Sequence, residues 1–149
     1  FDQARDHYLE CLRLLQDTDD HGDMARFVHS LAYLDQHAGA MELAESGFKR
    51  SLRMFRQLGN RRGIAESLAG LAGVRARQGK AERGAVVLGA AEGLLKSTGG
   101  AWWPADRVEV ARNKELIASS LEDEDFQRLW ERGQTTEVDR VITDSSFEP

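Results

Sequence analysis

Apolar residues recur along this chain at helical spacing, and the spacing itself recurs every forty residues. Ala4, Ala44 and Gly84 are small, and four residues on Tyr8, Phe48 and Leu88 are large. Cys11, Ser51 and Ala91 are small again, followed by Leu14, Met54 and Leu94, then Leu15, Phe55 and Leu95. A second set pairs Val28 with Leu68, Leu31 with Leu71, Ala32 with Ala72 and Gly39 with Gly79. Steps of four, three, three and one put the first set on one face of an α-helix, the face that must be buried. Small columns let a neighbouring helix approach and large ones fill the space beside it. A repeat of this length is the mark of stacked supersecondary units, each too small to bury its own apolar face.

The pattern predicts helices over residues 1–16, 22–37, 41–57, 62–77 and 81–97. Gly39 and Gly79 lie in the breaks Gln36-His37-Ala38-Gly39-Ala40 and Arg77-Gln78-Gly79-Lys80, where a helix can end in a left-handed residue. Each unit is therefore a helical hairpin. Asp17-Thr18-Asp19-Asp20-His21 and Leu58-Gly59-Asn60 link successive hairpins. After Gly99-Gly100 the pattern changes. Pro104 suits the first turn of a helix to about Ser120, with Val108, Ala111, Leu116 and Ile117 inward. Glu122-Asp123-Glu124-Asp125 places acids at the start of another helix, where its dipole favours them. That helix presents Phe126, Leu129 and Trp130 and stops near Gly133. A short helix through Val138, Val141 and Ile142 follows, and Ser145 to Pro149 is expected to fray. The fold class expected is all-α. It is a solenoid of antiparallel hairpins over 1–100 (a half repeat 1–20, repeats 21–60 and 61–100) with a helical cap over 101–149.

Composition narrows the function. Hydrophobic residues make up 41% and charged residues 30%, a balance that excludes a disordered tail. No apolar run reaches the length of a membrane span. The start, Phe1-Asp2-Gln3-Ala4, has neither an initiator Met nor a signal-peptide core and reads as the inside of a helix, so a piece of a longer parent is expected. The single cysteine, Cys11, excludes an internal disulfide framework, fits a reducing compartment, and reads as a small buried helix residue. The net charge of -5 conceals an asymmetry. Between Lys49 and Arg83 stand ten basic residues against Glu66 and Glu82, a segment of net charge +8.

Candidate chemistry is sparse. The run Gly84-Ala85-Val86-Val87-Leu88-Gly89-Ala90-Ala91-Glu92-Gly93 lacks the Gly-Lys-Ser/Thr ending of a phosphate loop, and its glycines fit close helix packing better than phosphate binding. His29, Tyr33 and His37 share a helix face, but two histidines eight residues apart are separated by about 12 Å, too far for one metal ion without other ligands. Glu122 to Asp125 lack the spacing and glycine of a calcium loop. No nucleophile, base and orienting acid share a recognisable local signature. No catalytic residue, cofactor or metal is expected.

The hairpin unit resembles a tetratricopeptide repeat. The matching residues are Leu31-Ala32, Gly39, Ala44, Phe48 and Ser51-Leu52, then Leu71-Ala72, Gly79, Gly84, Leu88 and Ala91, with Ala4, Tyr8 and Cys11-Leu12 in the half unit. Asp35 or Arg75 stands where the repeat's first helix usually has an aromatic residue, and the period is forty rather than thirty-four. A second resemblance rests on Leu58-Gly59-Asn60-Arg61-Arg62-Gly63-Ile64-Ala65-Glu66-Ser67-Leu68, Val87-Leu88-Gly89-Ala90-Ala91-Glu92, Trp103-Pro104-Ala105-Asp106-Arg107 and Asp125-Phe126…Trp130-Glu131-Arg132-Gly133. These stretches, spanning about residues 58–142, are similar to the C-terminal ends of large bacterial signal-transduction ATPases of the LuxR and AfsR regulator types. The resemblance implies a cytoplasmic parent whose nucleotide-binding and DNA-binding parts lie outside these residues.

In tetratricopeptide stacks the unpacked positions of the first helix line a concave groove. By register these are Arg26, His29, Tyr33, Gln36 and His37, then Glu66, Ala69, Gly73, Ala76 and Arg77. The first group is polar, aromatic and cationic, which suits an acidic peptide; the second is mostly small, leaving the groove open. A solvated face without a ligand is the alternative. Arg53, Arg56, Arg61, Arg62, Trp102 and Trp103 form a second candidate contact surface. Six basic residues between Lys49 and Arg62 could meet phosphates, yet Phe48 and Phe55 lie in core columns and are not free to stack on bases. The function expected is a non-catalytic interaction and sensor module that binds a protein, a peptide or a small inducer. The alternatives are a purely structural or self-associating repeat and, with less support, nucleic-acid contact.

Overall fold

The computed structural model describes residues 2–16 and 20–148, and the expected link at Asp17-Thr18-Asp19 lies outside them, as do Phe1 and Pro149. The described residues form eight helices and no strands: α1 (Asp2–Gln16), α2 (His21–His37), α3 (Met41–Leu58), α4 (Arg61–Arg77), α5 (Ala81–Ser97), α6 (Pro104–Ser119), α7 (Asp123–Thr135) and α8 (Val138–Asp144). α2 and α4 begin forty residues apart, as do α3 and α5. Gly39, Gly59, Gly79 and Gly99 all adopt positive φ, between 67° and 78°. They stand twenty residues apart just past a helix end, where a Cβ would be strained. Asn60 caps α4 by accepting the N–H of Gly63 at 2.9 Å, and Asp20 caps α2 through the N–H of Asp23 at 3.0 Å.

Each helix from α1 to α5 packs on the next. The core runs through Ala32, Ala44, Phe48, Leu52, Leu68, Leu71, Ala72, Leu88 and Ala91, all buried and most of them from the repeating columns. Glycine lets aromatic rings sit on α4: an added Cβ at Gly70 would lie 2.4 Å from the ring of Phe48, and one at Gly63 would lie 2.3 Å from that of Phe55. α1 packs mainly against α2, and among its described residues Leu12 is the buried one, while Ala4 and Leu14, expected on the buried face, are exposed and Cys11 is half-buried.

After Gly99-Gly100 the helices no longer follow the forty-residue unit. α6 lies on α4 and α5, α7 crosses α5, and α8 also touches α5. The α5–α7 crossing is close because glycines face it: a Cβ at Gly89 would meet the carbonyl oxygen of Trp130 at 2.0 Å, and one at Gly133 would meet that of Val86 at 2.0 Å. Two expectations about the tail are corrected. α6 turns Asp106, Val110, Asn113 and Ile117 inward, leaving Val108 and Ala111 exposed and Leu116 half-buried, because polar residues are drawn to polar partners beneath them. Ser145 to Phe147, expected to fray, are anchored. Phe147 is 2% exposed, Arg75 stacks on its ring at 4.8 Å, and Arg75 also donates to the carbonyl of Ser145. No helix among the described residues is long and apolar enough to cross a membrane.

Candidate functional site

Positions three and four apart on α2 and α4 bring the expected groove residues to one side of the molecule. They do not line an open groove. α6 lies over them, and each turn of it makes a polar contact. Asp106 Oδ2 stands 2.6 Å from Nε2 of His29, both side chains buried. One turn on, Glu109 Oε1 stands 2.9 Å from Nε2 of His37, which stays exposed. One turn further, Asn113 donates to the carbonyl of Ala69 at 3.2 Å and accepts from Nη1 of Arg77 at 2.8 Å. Gly73 makes room for it, since a Cβ there would lie 2.4 Å from the Asn113 amide.

The Trp103 segment closes the other end. Its backbone N–H donates to Glu66 Oε1 at 3.1 Å. Its ring meets those of His29 and Phe55 at 5.7 Å, and the guanidinium groups of Arg26 and Arg62 lie over it at 4.8 and 5.7 Å. His29 is boxed in further by Tyr33 and Phe48, edge to face at 5.1 and 5.4 Å. His29, Tyr33, Gln36 and Glu66 are thus buried, while Arg26 remains exposed at the rim. The reading of this face as solvated is corrected: the cap helix covers it.

The centre of this seam is polar and buried, and its acids respond. Burial, then the neighbouring Asp106 carboxyl group, push the Glu66 carboxyl up to about 9. Burial opposes ionisation of Asp106 too, but the hydrogen bond from His29 and the nearness of Glu66 outweigh it and hold Asp106 below the usual carboxylate range. Glu66 is therefore the protonated member of the carboxyl pair at neutral pH. Burial and the neighbouring carboxyl groups of Asp106, Glu66 and Glu109 raise the Tyr33 phenol. The Tyr33 hydroxyl, both amide atoms of Gln36, Glu66 Oε2 and His29 Nδ1 are buried without a hydrogen-bond partner. His29, Glu66 and Asp106 are also the one group among the described residues with three metal-ligating side chains close enough to hold an ion.

The second candidate surface is not one surface. Arg53 is exposed, Arg56 pairs with Asp139 of α8 at 3.0 Å, and Arg61 donates to Ser97 at 2.8 Å. Arg62 and Trp103 belong to the seam, and Trp102 packs half-buried on the core. A cleft of about 690 Å³, lined by Lys80, Arg83, Leu129, Arg132 and Asp144 among others, shares no residue with the seam.

Comparison with family models, with curated proteins and with solved structures finds no match to this chain. The functional reading therefore rests on geometry. Sequence reasoning missed Asp106 and Asn113. The one signal for them is their seven-residue spacing around Val110, which puts two polar residues and an apolar one on a single face of α6. His29 with Glu66 and Asp106 is invisible to any local motif, because its members stand 37 and 40 positions apart on three helices.

Proposed function

We propose that this chain is a non-catalytic interaction module of the tetratricopeptide type, a short solenoid of helical hairpins whose groove holds the chain's own helix α6. The observation that carries this reading is the seating of α6, through Asp106, Glu109 and Asn113, on side chains of α2 and α4. A surface that receives one amphipathic helix through periodic polar anchors is chemically able to receive another. The recognised partner is then a protein or peptide helix with acidic residues one turn apart, competing with α6. In the regulator context that the sequence resembles, exchange of α6 for a partner would be the sensed event, and the output would lie in the cytoplasmic parent. A small inducer or another part of the same parent could act at this seam by the same displacement.

The runner-up is a repeat that only builds structure, and it has one observation in its favour: the groove is already filled. Native-state hydrogen exchange separates the two. As a module with an exchangeable groove, the chain exchanges α6 amides through an opening distinctly lower in free energy than that of α4 and α5. Exchange of α6 only through global unfolding sinks the groove reading and leaves the structural one. Nucleic-acid contact has less support, since Arg56, Arg61 and Arg62 each engage a neighbour within the chain.

A further inference from the structure

His29, Glu66 and Asp106 come from α2, α4 and α6, and one ligand atom from each lies within 4.8 Å of the other two. All three residues are buried. An imidazole and two carboxylates form the donor set of borderline divalent ions such as zinc, cobalt and manganese, bound at about 2.0–2.2 Å. We infer that this seam is a divalent-cation site in which one ion, held by His29, Glu66 and Asp106, clamps α6 onto α2 and α4.

A further observation points to a ligand. Glu66 Oε1 accepts the Trp103 N–H, which orients the carboxyl group, while Oε2 is buried without a hydrogen-bond partner. A buried acceptor of this kind is costly, and an ion satisfies it. Charge argues the same way, since a divalent ion neutralises two neighbouring buried carboxylates that would otherwise repel each other. The other titratable or charged groups around the cluster are Arg26 and Tyr33 on α2, Arg62 and Arg77 on α4, and Glu109 on α6. Arg26 and Arg62 engage the Trp103 ring and Arg77 engages Asn113, so none of them is hydrogen-bonded to the three ligands.

The test uses the whole chain, stripped with EDTA and titrated with zinc chloride, with cobalt chloride as a spectroscopic probe. His7 and Cys11 lie 3.7 Å apart on the exposed side of α1 and could hold zinc by themselves, so every titration is repeated in Cys11→Ser. The expected result in both backgrounds is one ion per chain and a rise in Tm of about 5 °C or more at saturation. Cobalt gives a visible d–d spectrum. Glu66→Gln keeps the shape of the neutral carboxyl group; it folds in EDTA like the parent chain and loses the zinc-dependent shift. A shift that persists in Glu66→Gln, one that vanishes in Cys11→Ser, or no shift in any background overturns the site. None of these outcomes depends on whether the groove accepts a partner.

Discussion

The protonated state of Glu66 makes the stability of this fold depend on pH in a window where few exposed carboxyl groups change. The folded carboxyl is raised from 4.5 to about 9. Between those values the folded chain therefore holds a proton that the unfolded chain releases, so stability falls as pH rises. Asp106 is shifted the other way, and its contribution is already complete above the unfolded value of 3.8, so it adds no slope in this range. From pH 5 to pH 8 the linkage slope of about 1.4 kcal/mol per pH unit sets a ceiling of about 4 kcal/mol on the loss. Water reaching the seam would reduce it. The perturbation is Glu66→Gln, whose amide oxygen accepts from the Trp103 N–H as the acid does, but cannot ionise. Urea unfolding in EDTA, followed by tryptophan fluorescence, gives stability at each pH. The two chains differ only at this position, so the difference between their pH profiles reports on Glu66. The expected outcome is a variant as stable as the parent at pH 5 and more stable at pH 8 by about 2–4 kcal/mol. Parallel profiles would refute the reasoning, because they would mean that Glu66 ionises freely and that the seam is wet.

Two other perturbations test how the cap and the tail pack on α4 and α5. Gly133→Ala places a Cβ 2.0 Å from the Val86 carbonyl oxygen, a clash with backbone that no rotamer relieves; a loss of about 3 kcal/mol and a fall in Tm of roughly 6–12 °C are expected by calorimetry. Phe147→Ala removes a ring that is 2% exposed and carries Arg75 on its face. It should cost about 3–5 kcal/mol in urea unfolding, whereas a change under about 1 kcal/mol would mean that the tail frays.

How much of this was legible beforehand differs from one element to the next. The hairpins α2–α3 and α4–α5 were predicted to within a residue or so, because period, turn glycine and core column all agree there. α6 was placed correctly along the chain but turned wrongly about its axis. An apolar residue is the ordinary guide to an inward face, and Val108 and Ala111 pointed to the wrong one. The groove residues His29, Tyr33, Gln36, Glu66 and Arg77 were named together, but as an open surface. Nothing in their own helices says that Asp106 and Asn113 will lie on them. The Cys11 and Leu14 columns failed for a different reason: a repeating column is buried only where helices flank it on both sides, and α1 is flanked on one.

The amino-acid sequence alone settled the all-helical class, the helix limits and the forty-residue register. These depend on side-chain periodicity and on glycine at positive φ, both of which act within a few residues. Tertiary structure alone decided what the groove contains. Closing α6 over α2 and α4 removes His29, Glu66 and Asp106 from water together; burial that Glu66 does not experience in its own helix raises its carboxyl group, while His29, brought up from another helix, holds Asp106 low against the same burial.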